Sequence, residues 1–251
     1  MTAGASILSI ERLSRQFGAL AAVNAVSLSL AAEQRRAIIG PNGAGKTTLF
    51  NLITGQIAPS AGRILFDGSA ITGLPPHAIA RRGISRSFQR TNLFPKLTVL
   101  ENLRLAAAAD GRGSYNLFGF GVARWGAQLE RAGAAAEAVG LTGRLGEPAG
   151  LLSYGEQRQL EVGVALATRP KLLLLDEPTA GMSPEETERM TRMLERLPRS
   201  VTLLIIEHDM DVVSSLADRV TVLHYGEVLS EGSFDEVKAD PRVYEVYLGS
   251  A

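Results

Sequence analysis

Positions 40 to 48 combine glycines, a lysine and two threonines in the spacing of a phosphate-binding loop, or P-loop. The residues are Gly40, Pro41, Asn42, Gly43, Ala44, Gly45, Lys46, Thr47 and Thr48. In such a loop the glycines let successive backbone N–H groups converge on phosphate oxygens. The Lys46 ammonium reaches the β- and γ-phosphates, and the Thr47 hydroxyl ligates Mg²⁺. The pattern predicts that the chain binds a nucleoside triphosphate.

Two adjacent acids, Asp176 and Glu177, follow the apolar run Leu172–Leu175. The first acid can hold Mg²⁺ through its water shell, and the second can act as a base at the γ-phosphate. We therefore assign Asp176 to the metal and Glu177 to general-base catalysis. Two acids at the end of a strand are also common as a solvated strand end. The P-loop in the same chain favours the metal site over that alternative.

Ser153 stands just before the helical run Gln157–Thr168, within the sequence Leu-Ser-Tyr-Gly-Glu-Gln. The pattern predicts a helix N-cap with free backbone N–H groups beside it, and such a helix start can hold an anion. By local chemistry alone, Ser153 and Glu156 form an ordinary capping box. Both interpretations stay open on these residues alone.

Short strand-like runs that could position these groups recur along the chain and alternate with helical patterns. The runs are Ile7–Leu13, Val26–Leu30, Ala37–Ile39, Ile64–Phe66, Ile84–Phe88, Leu172–Leu175, Val201–Ile206 and Val220–Leu223. The alternation predicts an α/β fold with a largely parallel sheet, whose ligands bind beyond the carboxyl ends of the strands. The strands before the P-loop are expected to form a separate small antiparallel sheet. The Ala-rich stretch Leu97–Leu152 predicts a helical subdomain with a glycine-aromatic loop near residues 110–126.

The composition excludes several classes of protein. Lys plus Arg and Asp plus Glu number 26 each, so no net charge attracts a nucleic acid. The chain has no cysteine, which excludes disulfides and thiolate metal sites. The stretch Met1–Ile10 lacks the pattern of a secretory signal, and the longest apolar runs are strand-length, far below what crosses a bilayer. We expect a cytoplasmic protein, for which any membrane-spanning part comes from a partner.

In their order along the chain, these motifs resemble those of ATP-binding cassette (ABC) ATPases. The resemblance covers nearly the whole chain and includes the P-loop, Gln89, the Ser153 segment, Leu-Leu-Leu-Leu-Asp-Glu and His208. It implies a single ABC ATPase domain over residues 1–251 that binds ATP and Mg²⁺. A P-loop NTPase core with a small antiparallel β subdomain would occupy about 1–90 and 170–251, and a helical subdomain about 91–169.

The resemblance also implies roles for single residues. Phe17 is similar to the aromatic residue that stacks on adenine, although a core position in the small sheet is the alternative. Gln89 resembles the glutamine that contacts Mg²⁺ and the attacking water, and His208 resembles the switch histidine that contacts the γ-phosphate. The implied catalytic residues are Lys46, Gln89, Glu177 and His208, and the implied metal ligands are Thr47, Gln89 and Asp176.

Ser153, Gly155 and Glu156 resemble the signature that closes over the γ-phosphate held by the P-loop of the opposite subunit. One chain alone would then lack a complete site. Ala180–Ser183 stands where the family has its dimer-contact loop, and a simple helix start before Pro184 is the alternative. The chain departs from the family at Tyr154, which replaces the first of two signature glycines. This puts the usual backbone geometry in doubt, because a bulky residue resists positive φ.

The Tyr-Gly signature is similar to that of the ATPase subunits of branched-chain amino-acid importers. The segments Ser87–Gln89, Leu97–Leu103, Ile206–Met210 and Tyr247–Gly249 share this similarity. It implies a subunit at the cytoplasmic face of the inner or plasma membrane. The implied partners are transmembrane permeases, a second ABC ATPase subunit or a second copy of this chain, and indirectly a solute-binding protein. Importers for urea, amides or aromatic acids share the pattern and remain alternatives.

Two rival classes fit the motifs less well. A soluble ABC ATPase with no transport role usually carries two cassettes or a long charged coiled coil, and this chain has neither. A P-loop kinase or GTPase would not need the Ser153–Gln157 segment. The basic residues around Gln89 form either a solvated face or a docking surface for permease loops or anionic lipid. They are Arg81, Arg82, Arg86, Arg90 and Lys96.

Overall fold

The computed structural model describes residues 6–87, 93–109 and 122–248. Gln89 and residues 110–121 of the expected glycine-aromatic loop lie outside this part of the chain. The chain divides into two compact units, which we call the first unit (Met1–Arg82 with Arg199–Ala251) and the second unit (Gly83–Pro198).

Strands and helices alternate along much of the chain. In chain order they are β1 (Ser6–Phe17), β2 (Leu20–Ala31), β3 (Arg35–Ile39), α1 (Lys46–Ile53), β4 (Ala61–Phe66), β5 (Ser69–Ala70), α2 (Pro76–Arg81), β6 (Ile84–Arg86), α3 (Val99–Ala108), α4 (Val122–Ala138), α5 (Tyr154–Ala167), β7 (Leu172–Asp176), α6 (Pro184–Glu195), β8 (Thr202–Ile206), α7 (Met210–Leu216), β9 (Arg219–His224), β10 (Glu227–Gly232), α8 (Phe234–Lys238) and α9 (Pro241–Leu248).

The first unit contains an antiparallel sheet with strand order β2-β1-β4-β5. In β2 the buried Val26, Leu28 and Leu30 alternate with exposed serines, so one face of the strand lies on the core and the other faces solvent. The separate antiparallel sheet expected before the P-loop is confirmed.

A second sheet of the first unit has β3 at its centre, parallel to β8 on one side and to β9 on the other. The strand β10 then pairs antiparallel with β9. All residues of β3 and of β8 are buried, as expected for central strands covered on both faces. Valines of β9 pack with Ile39, Val213, Val237 and Val243, which come from β3, α7, α8 and α9. This core fixes the position at which β3 enters the P-loop.

In the second unit, β6 and β7 pair in parallel, and the helices α3, α4 and α5 pack against one another. A Cβ atom added at Gly163 of α5 would lie 3.1 Å from side-chain carbons of both Leu103 and Val139. The small residue therefore lets α5 pack closely on α3. Every residue of β7 is buried, which holds Asp176 at a fixed point at the end of the strand.

The predicted α/β class with parallel strands is confirmed, and all eight strand-like runs contribute buried strand residues. The run Ile84–Phe88 forms a strand only as far as Arg86, and Phe88 lies outside the described residues. The sequence pattern missed β10, because Glu227–Gly232 carries little apolar alternation and forms its strand by pairing with β9.

Candidate active site

The P-loop connects the buried strand β3 to α1, as the sequence predicts. Gly45 is the N-cap of α1, with a φ of 100°. Because glycine has no side chain, it leaves the first-turn N–H groups of α1 to be satisfied by another acceptor. Asn42 and Gly43 are exposed, whereas Ala44 is buried and accepts a hydrogen bond from the Gly226 N–H at 3.0 Å. The loop therefore presents a helix N-terminus that suits an anion.

Gly45 and Gly43 differ in their surroundings although both have a positive φ. A Cβ atom at Gly45 would lie 2.3 Å from the carbonyl oxygen of Ala22 in β2, which is backbone and cannot rotate away. A Cβ atom at Gly43 would meet no heavy atom within 4 Å. The protein's own backbone therefore leaves no space for a side chain at Gly45, whereas Gly43 has space for one.

We expect Gly45→Ala to lower the free energy of unfolding by about 3 kcal/mol or more, because it adds a backbone clash to a strained φ. Gly43→Ala is the matched control and should cost only about 1–2 kcal/mol, for its left-handed backbone alone. Urea unfolding followed by circular dichroism measures both values. Equal losses in the two variants would contradict the close approach of β2 to the P-loop.

The Lys46 side chain lies along the P-loop itself. Its Nζ atom donates hydrogen bonds to the carbonyl oxygens of Gly40 at 2.7 Å and Pro41 at 2.9 Å. Lys46 is buried, Thr48 is half-buried and Thr47 is exposed in the first turn of α1. The ammonium and the Thr47 hydroxyl are therefore at the end of α1 where the capping glycine stands.

Asp176 ends β7 with its carboxylate fully buried and accepts a hydrogen bond from the Arg86 guanidinium at 2.5 Å. Only 7% of the Arg86 side chain is exposed. Arg86 therefore does not belong to the expected basic surface around Gln89, and that expectation was wrong for this residue. An arginine inside a strand-like run favours an acid as its partner, but the sequence does not say which acid.

Glu177 follows β7 directly and is half-buried, with a φ of 50°. A non-glycine residue in this region of backbone space costs of order 1–3 kcal/mol unless the surroundings hold it, and such residues cluster at functional sites. The Glu177 carbonyl oxygen accepts a hydrogen bond from the Ala180 N–H at 3.1 Å, which closes a turn after the strand. The position of the carboxylate is thus set by a constrained backbone.

His208 lies two residues beyond the last residue of β8, and 64% of its side chain is exposed. The preceding Glu207 is buried, and its carboxylate accepts a hydrogen bond from the His208 backbone N–H at 3.1 Å. The imidazole Nδ1 atom lies 3.8 Å from the same carboxylate. The imidazole is therefore accessible to a ligand.

Ser153 is the N-cap of α5 and forms the predicted capping box with Glu156. The Glu156 N–H donates to the Ser153 hydroxyl at 3.3 Å, and the Ser153 N–H donates to the Glu156 carboxylate at 2.9 Å. That backbone hydrogen bond lowers the pKa of Glu156, and Arg144 at 3.2 Å lowers it further. Tyr154 is the first residue of α5 and needs no positive φ, which answers the doubt about its backbone.

The remaining candidate residues are Phe17 and Gln89. Phe17 ends β1 with 45% of its surface exposed, so it is not a core residue of the small sheet. The Arg15 guanidinium lies 4.6 Å from the centre of the Phe17 ring. Gln89 is outside the described residues.

Two further observations bear on the kind of protein. In the parts of the chain that the structure describes, no helix is both long and apolar enough to cross a membrane. Over the same residues, no group of three or more His, Asp and Glu side chains is arranged to hold a metal ion.

Known proteins are similar to this chain over nearly its whole length. Residues 23–180 match the family model of the ABC transporter, and residues 227–251 match that of the branched-chain amino acid ATP-binding cassette transporter. The chain is 41% identical over 251 residues to the high-affinity branched-chain amino acid transport ATP-binding protein BraF of Pseudomonas aeruginosa, covering 98% of each chain.

Two solved structures are also similar. One is an ATP-binding cassette of an ABC transporter in its ADP conformation, with a TM-score of 0.85, 34% identity, and coverage of 97% of this chain and 99% of that chain. The other is a dimeric ATP-binding cassette bound to ADP and phosphate after hydrolysis, with a TM-score of 0.75, 25% identity, and coverage of 90% and 98%.

Proposed function

This chain belongs to the ABC transporter family, and we propose that its ATP hydrolysis powers an importer of branched-chain amino acids. As a member of the family the chain is an ATP-binding ATPase and a subunit of a transporter. The observation that carries the proposed solute is the 41% identity to BraF over 98% of both chains. The match of residues 227–251 to the branched-chain amino acid model supports the same solute.

The proposed ATP site begins with residues 40–48, whose backbone N–H groups hold the phosphates. The capping glycine at position 45 supports this role, because the first turn of α1 is left to bind an anion. Lys46 exchanges its hydrogen bonds to Gly40 and Pro41 for bonds to phosphate oxygens, which carry more charge. The exposed ring of Phe17 provides a face on which adenine stacks.

Thr47 and Asp176 fit a magnesium ion by the chemistry of their oxygens. Magnesium is commonly held by one or two carboxylates together with phosphate and water, so it needs no cluster of three acidic or histidine ligands. Asp176 already faces a cation, the Arg86 guanidinium. When bound, the ion neutralises negative charge that develops on the phosphates. We assign Gln89 as a further ligand from its place in the sequence.

Three residues act on the attacking water in this proposal. Glu177 accepts the proton from the water, and its constrained backbone after β7 keeps the carboxylate in place for that step. His208 contacts the γ-phosphate and helps to orient the water, and its exposed imidazole is accessible for this contact. Gln89 orients the same water. Catalysis is then mainly positioning and electrostatic stabilisation.

We propose that ATP is closed in by two ATPase subunits, with Ser153, Gly155 and Glu156 of one facing the P-loop of the other. The exposed Ser153 hydroxyl at the start of α5 supports this role, because a helix N-terminus attracts phosphate. The similar dimeric cassette bound to ADP and phosphate supports a dimer. The second subunit is either another ABC ATPase or a copy of this chain.

The proposed complex also contains transmembrane permeases and, indirectly, a solute-binding protein. The chain would lie at the cytoplasmic face of the inner or plasma membrane, where closing and opening of the ATPase pair drives the permeases. We propose that the single domain consists of a core and β subdomain at about 1–90 and 170–251 and a helical subdomain at about 91–169.

Purification of the tagged chain from its native host in mild detergent tests this function. We expect two multi-span permeases and a second cassette ATPase to co-purify, and the genetically paired solute-binding protein to bind leucine, isoleucine or valine. A binding protein that takes urea, an amide or an aromatic acid instead would overturn the solute. Recovery of soluble partners alone, from a chain that still binds ATP, would overturn the transport role.

A further inference from the structure

Tyr154, the residue that departs from the family pattern, contacts the loop that follows Glu177. Its hydroxyl donates a hydrogen bond to the carbonyl oxygen of Ala180 at 3.0 Å. The Arg158 Nε atom donates to the same hydroxyl oxygen at 3.1 Å, and the Arg158 guanidinium lies 5.4 Å from the centre of the Tyr154 ring. The phenol is therefore held from both sides, although 44% of the residue is exposed.

The peptide groups of Ala180 connect this contact to Glu177. The Ala180 N–H donates to the carbonyl oxygen of Glu177 at 3.1 Å, while the Ala180 carbonyl accepts from Tyr154. A Cβ atom added at Gly181 would lie 3.4 Å from the Tyr154 hydroxyl, so the loop backbone packs directly on the phenol. One residue thus bridges the start of α5 and the backbone of the proposed base.

A second contact, next to the first in the chain, joins the start of α5 to α6. A Cβ atom added at Gly155 would lie 2.9 Å from a carboxylate oxygen of Glu186 in α6. Hydrogen bonds from Ser183 lower the pKa of Glu186, and one from the Gly155 N–H acts in the same direction. A larger residue at position 155 would push Glu186 away, so the start of α5 is fitted to the start of α6.

We propose that Tyr154 is a positioning residue that couples the signature at the start of α5 to Glu177 in the same chain. The inference rests on the proposed function, in which Ser153 closes over the ATP held by the opposite subunit. When the two subunits close on that ATP, α5 moves or becomes less mobile. Tyr154 transmits this change in α5 to the turn that begins at Glu177. The two ATP sites of a dimer are then coupled through one phenol hydroxyl in each chain.

Tyr154→Phe tests the proposal, because it removes the hydroxyl and keeps the ring. A neutral hydrogen bond of this kind changes an equilibrium by about two- to tenfold, so we expect the turnover number to fall by about that factor. The KM for ATP should not change, and the midpoint of thermal unfolding should fall by no more than about 2–4 °C, as expected for the loss of one such hydrogen bond. The Hill coefficient for ATP hydrolysis should fall towards one. Tyr244→Phe, at an exposed tyrosine of α9, is the matched control and should behave as the wild type.

Hydrogen–deuterium exchange supplies a measurement that does not depend on turnover. In the purified chain without nucleotide, we expect the peptide covering residues 177–183 to exchange faster in Tyr154→Phe than in wild type or Tyr244→Phe. Unchanged exchange and unchanged turnover would overturn the coupling. A fall in turnover accompanied by a much larger fall in the midpoint of thermal unfolding would also overturn it, because the lost activity would then follow from unfolding. A co-purified wild-type complex without ATPase activity would instead refute the proposed function, and the exchange result would still decide whether Tyr154 holds the loop.

Discussion

Glu177→Gln is expected to lower the ATP turnover number about 10²- to 10⁴-fold while ATP binding stays as in the wild type. Glutamine has the size of glutamate and fits the constrained position after β7, where φ is 50°. Its amide cannot accept the proton of the attacking water, so the chemical step alone is lost. Phosphate release at saturating ATP gives the turnover number, and equilibrium titration with a fluorescent ATP analogue gives the affinity.

Glu137→Gln is the matched control for this change, because Glu137 is an exposed acid of α4 in the same unit. We expect wild-type turnover from it. If Glu177→Gln kept near-normal turnover, the base would have to be another group. If it lost ATP binding as well, the carboxylate would contribute to holding the nucleotide rather than to proton transfer.

The parts of the fold and site that follow from local sequence were predictable. The P-loop, the capping box at Ser153 and the strands β3, β7 and β8 each depend on residues close together in the chain, so their types and spacing were sufficient. The same holds for the α/β class, because the alternation of strand and helix patterns already favours a parallel sheet.

Contacts between distant segments were not predictable in this way. Arg86 belonged, by sequence, to a basic cluster, and only the pairing of β6 with β7 brings it to Asp176. Tyr154 was an anomaly of the signature until the fold placed its hydroxyl on the carbonyl of Ala180. Both cases depend on the partner that tertiary structure supplies, and a single sequence does not name that partner.

Lys46→Ala should weaken ATP binding and also lower turnover, unlike the change at Glu177. Charge-assisted hydrogen bonds to phosphate contribute about 1.5–3 kcal/mol, so we expect ATP affinity to fall about 10- to 100-fold and hydrolysis to be lost at ATP concentrations that saturate the wild type. Titration with the same fluorescent analogue measures the affinity, and urea unfolding shows whether losing the bonds to Gly40 and Pro41 also loosens the loop.

Lys238→Ala, at an exposed lysine of α8, is the matched control and should leave both quantities unchanged. Lys46→Arg separates charge from shape, because it keeps the positive charge but cannot place a compact ammonium between the phosphates. Wild-type affinity in Lys46→Ala would mean that the backbone N–H groups of the P-loop hold the phosphates without the ammonium.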